Sequence, residues 1–357
     1  MTITQPWIVR PHAPGDEERV TELFESVFGK PMTLEHYKWK LFDTPLRIDA
    51  PTAWLAESDN RIIGHYAGSP MRFKLAGDIV KALHGCDVMT APDFRRQGVL
   101  TALGTAAADV WTSAGVKLVT GLHYGGWGSR RHFLGWREQF RAVHLWRPLR
   151  FERTVGRFLP LPRLGERMLM AFGRVWRNVS TRSPRPTADD IKITPISHPG
   201  SEFDRLWDLL GDSYESLVVR DRAWVTYRYS EAPHANYRIM LARRGPDPVG
   251  YVVYRIHEHD GQLSGFIVDL FTLPHDEPGR MALLRTVFNE LEEAGATAVR
   301  AFVSAETPLL SEFRRLGFWR KKGHFDVSII PLDPNADYTS LSDPGRWFAM
   351  PGDFDVW

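Results

Sequence analysis

The alternation of apolar and polar positions divides the chain into short elements. Residues 7–11 read as a strand, and a turn at 13–16 follows. Val20, Leu23, Phe24 and Val27 then fall at the spacing of an amphipathic helix that stops at Gly29. A second short helix is predicted over 34–42. The runs 53–57 and 61–66 read as two strands joined by a turn at Asp59-Asn60. Residues 81–89 form a further strand. Residues 100–112 are rich in helix formers and close at Ser113-Ala114-Gly115, and 116–122 read as a buried strand. The fold class expected is α/β (α+β): a mixed, mostly antiparallel sheet flanked by helices.

The same order returns in the second half. Tyr37-Lys38-Trp39-Lys40 before Pro45 is matched by Val225-Thr226-Tyr227-Arg228 before Pro233. Asp87-Val88-Met89-Thr90-Ala91-Pro92 is matched by Asp269-Leu270-Phe271-Thr272-Leu273-Pro274, and Gly135-Trp136 by Gly317-Phe318. The repeat predicts two tandem modules, 1–149 and 189–335. A connection over 150–188 joins them, and an aromatic tail over 336–357 follows.

Between the strand and the helix of the first module stands Arg95-Arg96-Gln97-Gly98, with Val99, Leu100 and Thr101 opening the helix. Free backbone N–H groups at a helix start, the helix dipole and two guanidinium groups together suit a pyrophosphate. Gly98 lets the backbone approach closely. The second module has His275-Asp276-Glu277-Pro278-Gly279 there, with two carboxylates in place of the arginines and a proline that removes a donor.

The loop resembles the acyl-CoA pyrophosphate loop of the GNAT superfamily of N-acyltransferases, although Leu100 stands where that family usually has Gly or Ala. The resemblance spans nearly the whole chain as a tandem pair. It implies that the first module binds acetyl-CoA or another acyl-CoA through Arg95, Arg96, Gln97, Gly98, Val99, Leu100 and Thr101. Val88 and Met89 would offer backbone hydrogen bonds to pantetheine and the acyl carbonyl. The second module would have lost that role. The family's next helix ends in Tyr-x-x-x-Gly-Phe; here Gly135-Trp136 closes it, and Arg131 stands in place of the tyrosine that often protonates the departing thiolate.

Transfer to an amine requires a group that takes its proton. His123, at the end of the strand over 116–122, is the first candidate, because an imidazole titrates near neutral pH. Tyr124 and Asp87 follow, and His84 and His132 are weaker. Asp269 repeats Asp87 in the module without the loop, which favours an architectural role for the aspartate. Cys86 reads as a small core residue rather than a nucleophile.

The resemblance leads to an acyl-CoA-dependent N-acyltransferase acting on a primary amine of a small molecule. The first acceptor considered is a nucleotide-linked amino sugar. One alternative is an Eis-like acetyltransferase of a polyamine, antibiotic or lysine side chain; its cationic acceptor requires an acidic cleft, where a sugar nucleotide requires a basic one. Others are an aminoacyl-transferring relative of the peptidoglycan-bridge enzymes and a non-catalytic acyl-CoA-binding regulator. Eis-type enzymes bring their terminal carboxylate into the active site, so the tail is either a packed strap or a contributor to that site.

Composition narrows this picture a little. A formal net charge of +2 gives no reason to expect nucleic-acid binding. One cysteine excludes an internal disulfide and fits a reducing cytoplasm, and scattered histidines give no metal-ligand spacing. No apolar run is long enough to span a membrane. Within 150–187 nine arginines face two acidic residues, which makes the connection a basic amphipathic segment that packs across both modules or lies at a membrane surface or substrate lip. Residues 183–187 read as a linker. A monomer or a homodimer is compatible with two modules.

Overall fold

The computed structural model describes residues 6–124, 134–150, 190–259 and 261–354, with part of 165–173. The first half runs β1 (Ile8–Pro11), α1 (Glu17–Phe28), α2 (Leu34–Leu41), β2 (Ala53–Ser58), β3 (Arg61–Leu75), β4 (Asp78–Thr90), α3 (Val99–Ser113), β5 (Leu118–Tyr124) and β6 (Arg137–Pro148). The second runs β7 (Ile191–Ile196), α4 (Ser201–Leu210), β8 (Leu217–Val218), α5 (Arg222–Val225), β9 (Tyr237–Arg244), β10 (Asp247–His259), β11 (Gln262–Thr272), α6 (Glu277–Glu293), β12 (Ala298–Ser304), α7 (Pro308–Arg315) and β13 (Trp319–Pro331).

Local signals place most of these elements. Val20, Leu23 and Phe24 form the buried face of α1, and Gly29 ends it in the left-handed conformation. Thr33 caps α2, its hydroxyl accepting from the His36 N–H. The strand predicted over 61–66 continues to Leu75. Its second part is buried on both faces, so the polar alternation that marks a half-exposed strand is missing.

The strands form one sheet in the order β1-β2-β3-β4-β5-β13-β6-β12-β11-β10-β9-β7, with β8 attached to β3. The last strand of each half lies beside the other half: β13 pairs with β5, and β6 pairs with β12. Hydrogen bonding therefore runs without a break between the two halves of the chain. Trp39 of α2 and Tyr227, in the turn that follows α5, meet in a reciprocal contact, in which Trp39 Nε1 donates to the Tyr227 carbonyl and the Tyr227 hydroxyl donates to the Trp39 carbonyl. The two rings stack at 4.8 Å.

One core lies between the sheet and α1 and α3, another between the sheet and α6. A third fills the centre of the opposite face, where Trp347 and Phe354 of the C-terminal tail are buried. The segments 125–133 and 174–189, most of the basic connection and residues 355–357 lie outside the described residues. So do the readings placed on Arg131, His132 and the terminal carboxylate.

Candidate active site

The two halves open the sheet at the same place. β4 and β5 run parallel for three rungs, the last pairing His84 with Thr120. β11 and β12 do the same, ending at Phe266 and Arg300. Beyond these rungs the strands diverge, and β4 carries a bulge. His65 faces Met89 while Ala67 faces Cys86, so Asp87 and Val88 together oppose Tyr66. Asp87 takes a positive φ of 48°, a strained conformation for a residue with a side chain.

The bulge is held from below. His65 Nδ1 donates to the Asp87 carbonyl at 2.7 Å, and its Nε2 accepts from the Tyr37 hydroxyl at 3.1 Å. Burial lowers the His65 pKa to about 4, which keeps the ring neutral and fits this tautomer. Lys40 donates to both Asp87 carboxylate oxygens at 3.0 and 3.1 Å. Both side chains are 4% exposed.

A cleft of about 500 Å³ opens at this divergence. Asp87 and Val88 line it from β4, and His123 and Tyr124 from β5. His123 packs edge-on against Trp136 at 4.7 Å, and Tyr124 is 70% exposed. Met89 points elsewhere, into the core with Val99 and Leu103 beneath α3. The cleft also takes Lys30, His36, Lys40, His84 and Cys86. Among the described lining residues Asp87 is the one carboxylate. Lys40, which sequence reasoning missed, had left a trace: it is matched by Arg228 in the repeat, a cation at the same place in both halves.

The loop 95–98 leads into α3. Gly98 occupies its N-cap position with φ of 83°, no side chain caps the helix, and its first turn has no acidic residue. The first-turn N–H groups and the positive end of the dipole are therefore not compensated by a side chain. Arg95, Arg96, Gln97, Gly98 and Thr101 are exposed, Leu100 is half-buried and Val99 is buried. Gly64 lets the helix sit close, since a Cβ there would lie 2.7 Å from Val99 Cγ1. These residues fit a pyrophosphate.

The matching place in the second half is closed twice over. The Asp276 carboxylate caps α6 by accepting from the Gly279 N–H, and Arg244 pairs with it. The turn Pro351–Asp353 lies against both β11 and β12. Arg220 donates to both Asp353 oxygens at 2.7 Å and to Asp269 at 3.2 Å, and Arg228 donates to the Gly352 carbonyl. Asp269 also accepts from the Tyr229 and Tyr251 hydroxyls. The repeated aspartate thus anchors the strap in one half and lines the cleft in the other. No cluster of three or more metal-ligating side chains and no helix apolar enough to cross a membrane occurs among the described residues.

Residues 8–125 match the family described as an acetyltransferase (GNAT) domain. No curated protein matches the chain. Among solved structures, a GCN5-related N-acetyltransferase from Anabaena variabilis ATCC 29413 is 12% identical, with a TM-score of 0.64, covering 92% of this chain and 73% of that one. A conserved protein of unknown function from Enterococcus faecalis V583, described as a probable N-acyltransferase, is 13% identical, with a TM-score of 0.65 and coverages of 90% and 72%. A GCN5-related N-acetyltransferase from Kribbella flavida is 16% identical, with a TM-score of 0.58 and coverages of 90% and 70%. At such identities the likeness is one of fold. Residues 8–125 thus resemble a GNAT acetyltransferase domain, set in a fold shared with solved GCN5-related N-acetyltransferases.

Proposed function

We propose that the chain is a tandem-GNAT N-acyltransferase whose first module alone binds acyl-CoA and transfers the acyl group to the amine of a small anionic acceptor. The observation that carries this reading is the asymmetry between the repeats. The first has an uncapped helix start beside arginines and an open cleft. The second has its helix capped by Asp276 and the tail lying against the diverging strands. These contacts support the loss of that role in the second module.

Acyl-CoA supplies the acyl group as a thioester. The neutral amine attacks the thioester carbon, a C–N bond forms, and the C–S bond breaks. We assign His123 the proton released from the amine nitrogen. Asp87 is the poorer base, because Lys40 stabilises its carboxylate. Its carbonyl and the bulge instead shape the wall, with Val88 beside it. Tyr124 is placed to touch the acceptor.

The lining selects among acceptors. Among the described lining residues one carboxylate is present, Asp87, and it is already paired with Lys40. A polyamine needs several carboxylates to hold it, so the nucleotide-linked amino sugar is the preferred acceptor class. The test is thiol release from acetyl-CoA with an amino-sugar nucleotide, spermine or no acceptor. Turnover with the sugar nucleotide, lost in His123→Gln while acetyl-CoA still binds, is the expected result. Turnover with spermine alone would sink the acceptor assignment. Acetyl-CoA binding without turnover on any amine would favour a non-catalytic regulator.

A further inference from the structure

Outside the cleft, one row of side chains crosses six strands. Reading along directly paired positions from β9 through β10, β11, β12 and β6 to β13, it runs Tyr237, Arg255, Phe266, Arg300, Trp146, Trp319. Directly paired residues point to the same face of a sheet, so rings and cations alternate from Tyr237 to Trp146, and a second tryptophan ends the row. Trp146 and Trp319 lie 5.5 Å apart, and Trp319 is 52% exposed.

The row is joined to the cleft. Phe302, two residues beyond Arg300, pairs with His144, whose ring lies 4.3 Å from Phe325. Phe325 lines the cleft. From Ala142, the partner of Phe325, to Trp146 is four residues, roughly 13 Å at the usual rise along a strand.

Around Arg300 and Lys321 the described residues leave charge unbalanced. Burial lowers the His144 pKa, with repulsion from Lys321 and Arg300 adding to it, and burial with repulsion from Arg300 lowers that of Lys321. Neither Arg300 nor Lys321 has an ion pair among the described residues, and Arg300 Nε is buried there without a hydrogen-bond partner. A half-buried guanidinium and an exposed ammonium that repel one another suit an anion between them. Lys321 also sits in an irregular stretch of β13, where Arg320 pairs with Leu145 and the next paired residue is His324. That stretch lifts three residues out of the regular ladder.

We propose that Arg300, Lys321 and His144 hold the phosphates of a nucleoside diphosphate and that Trp146 stacks on its base. This subsite rests on the acyltransfer reading, because it places the nucleotide of the acceptor one sugar's reach from the cleft. Planar guanidinium groups suit phosphate oxygens, and indole rings suit a heteroaromatic face.

The test is calorimetric titration of uridine diphosphate into the Arg95→Ala/Arg96→Ala protein, in which the helix-start loop cannot supply the site. Binding is expected there, weakened at least about tenfold by Arg300→Gln, the loss of one charge-assisted contact. Lys321→Gln, at an exposed position that leaves the fold intact, should weaken it several-fold. Trp146→Leu should reduce uridine diphosphate binding but leave inorganic pyrophosphate unchanged. Absence of binding, or affinity untouched by Arg300→Gln and Lys321→Gln, overturns the subsite. Pyrophosphate binding as tightly as uridine diphosphate overturns the stacking. Titration of acetyl-CoA into the wild type is read separately, so failure of the acyltransfer reading shows there and not here.

Discussion

The tail is fixed by a buried cluster whose two halves should respond unequally to mutation. Arg220 is fully buried between Asp269, also fully buried, and Asp353, 4% exposed. The cluster holds one cation and two carboxylates. Tyr229, Tyr251 and the Leu270 N–H donate to Asp269, and the Met350 N–H donates to Asp353. Asp353→Asn leaves Arg220 paired with Asp269, so the cost is one charge-assisted interaction, about 2 kcal/mol. Arg220→Met leaves two carboxylates buried without their cation, and about 4 kcal/mol is expected from breaking a buried pair one-sidedly. Burial beside Asp269 already raises the Asp353 pKa to about 6. A carboxyl with a raised folded pKa adds stability as pH falls through that value, so the Arg220→Met deficit should shrink between pH 7 and 5. Urea unfolding followed by tryptophan fluorescence reads this directly, since Trp347 of the strap is 2% exposed. An Asp353→Asn cost equal to or above that of Arg220→Met, or both below about 1 kcal/mol, would refute the reasoning.

Three further outcomes follow from single contacts. His65 has its pKa lowered to about 4, so its contribution to stability is complete above pH 6.5 and is lost as pH falls toward 4. The loss amounts to about 3 kcal/mol, and His65→Gln should flatten that part of the acid-unfolding curve relative to wild type; parallel curves would count against it. Gly64→Ala brings a Cβ to 2.7 Å from Val99 Cγ1 and 3.0 Å from Leu103 Cδ1, so α3 must shift. A stability loss of about 1–3 kcal/mol and weaker acetyl-CoA binding are expected by thermal unfolding with and without ligand. Asp276→Ala removes the cap of α6 at about 1 kcal/mol and should leave acetyl-CoA affinity unchanged in the same assay.

How legible was the molecule in its sequence? Elements carried by local chemistry were readable. Gly29 ends α1, Asp59-Asn60 turns between β2 and β3, and Gly98 opens α3, each through backbone conformation. The aspartates matched between the halves, Asp87 and Asp269, lie at the same distance beyond the last parallel rung of their strands, His84 and Phe266. What was not readable depends on partners far apart in the chain. β3 continues through 67–75 because both of its faces are covered, which no local alternation records. The placing of β13 beside β5 and of β6 beside β12 likewise depends on how the halves meet. In the site, the loop and the residues His123, Tyr124 and Asp87 were named from the sequence, and the structure brings those three to one cleft. The Asp87 carboxylate proved to be held by Lys40, 47 residues away, which spacing alone does not show. The bulge at Asp87 and Val88, which sets which β4 side chains face the cleft and leaves Met89 in the core, is likewise not marked by spacing.

If the first half alone binds acyl-CoA, calorimetric titration of acetyl-CoA gives one equivalent per chain for the wild type, unchanged for Asp276→Ala and lost in Arg95→Ala/Arg96→Ala. Two equivalents per chain, or one that survives the double substitution, would contradict that reading.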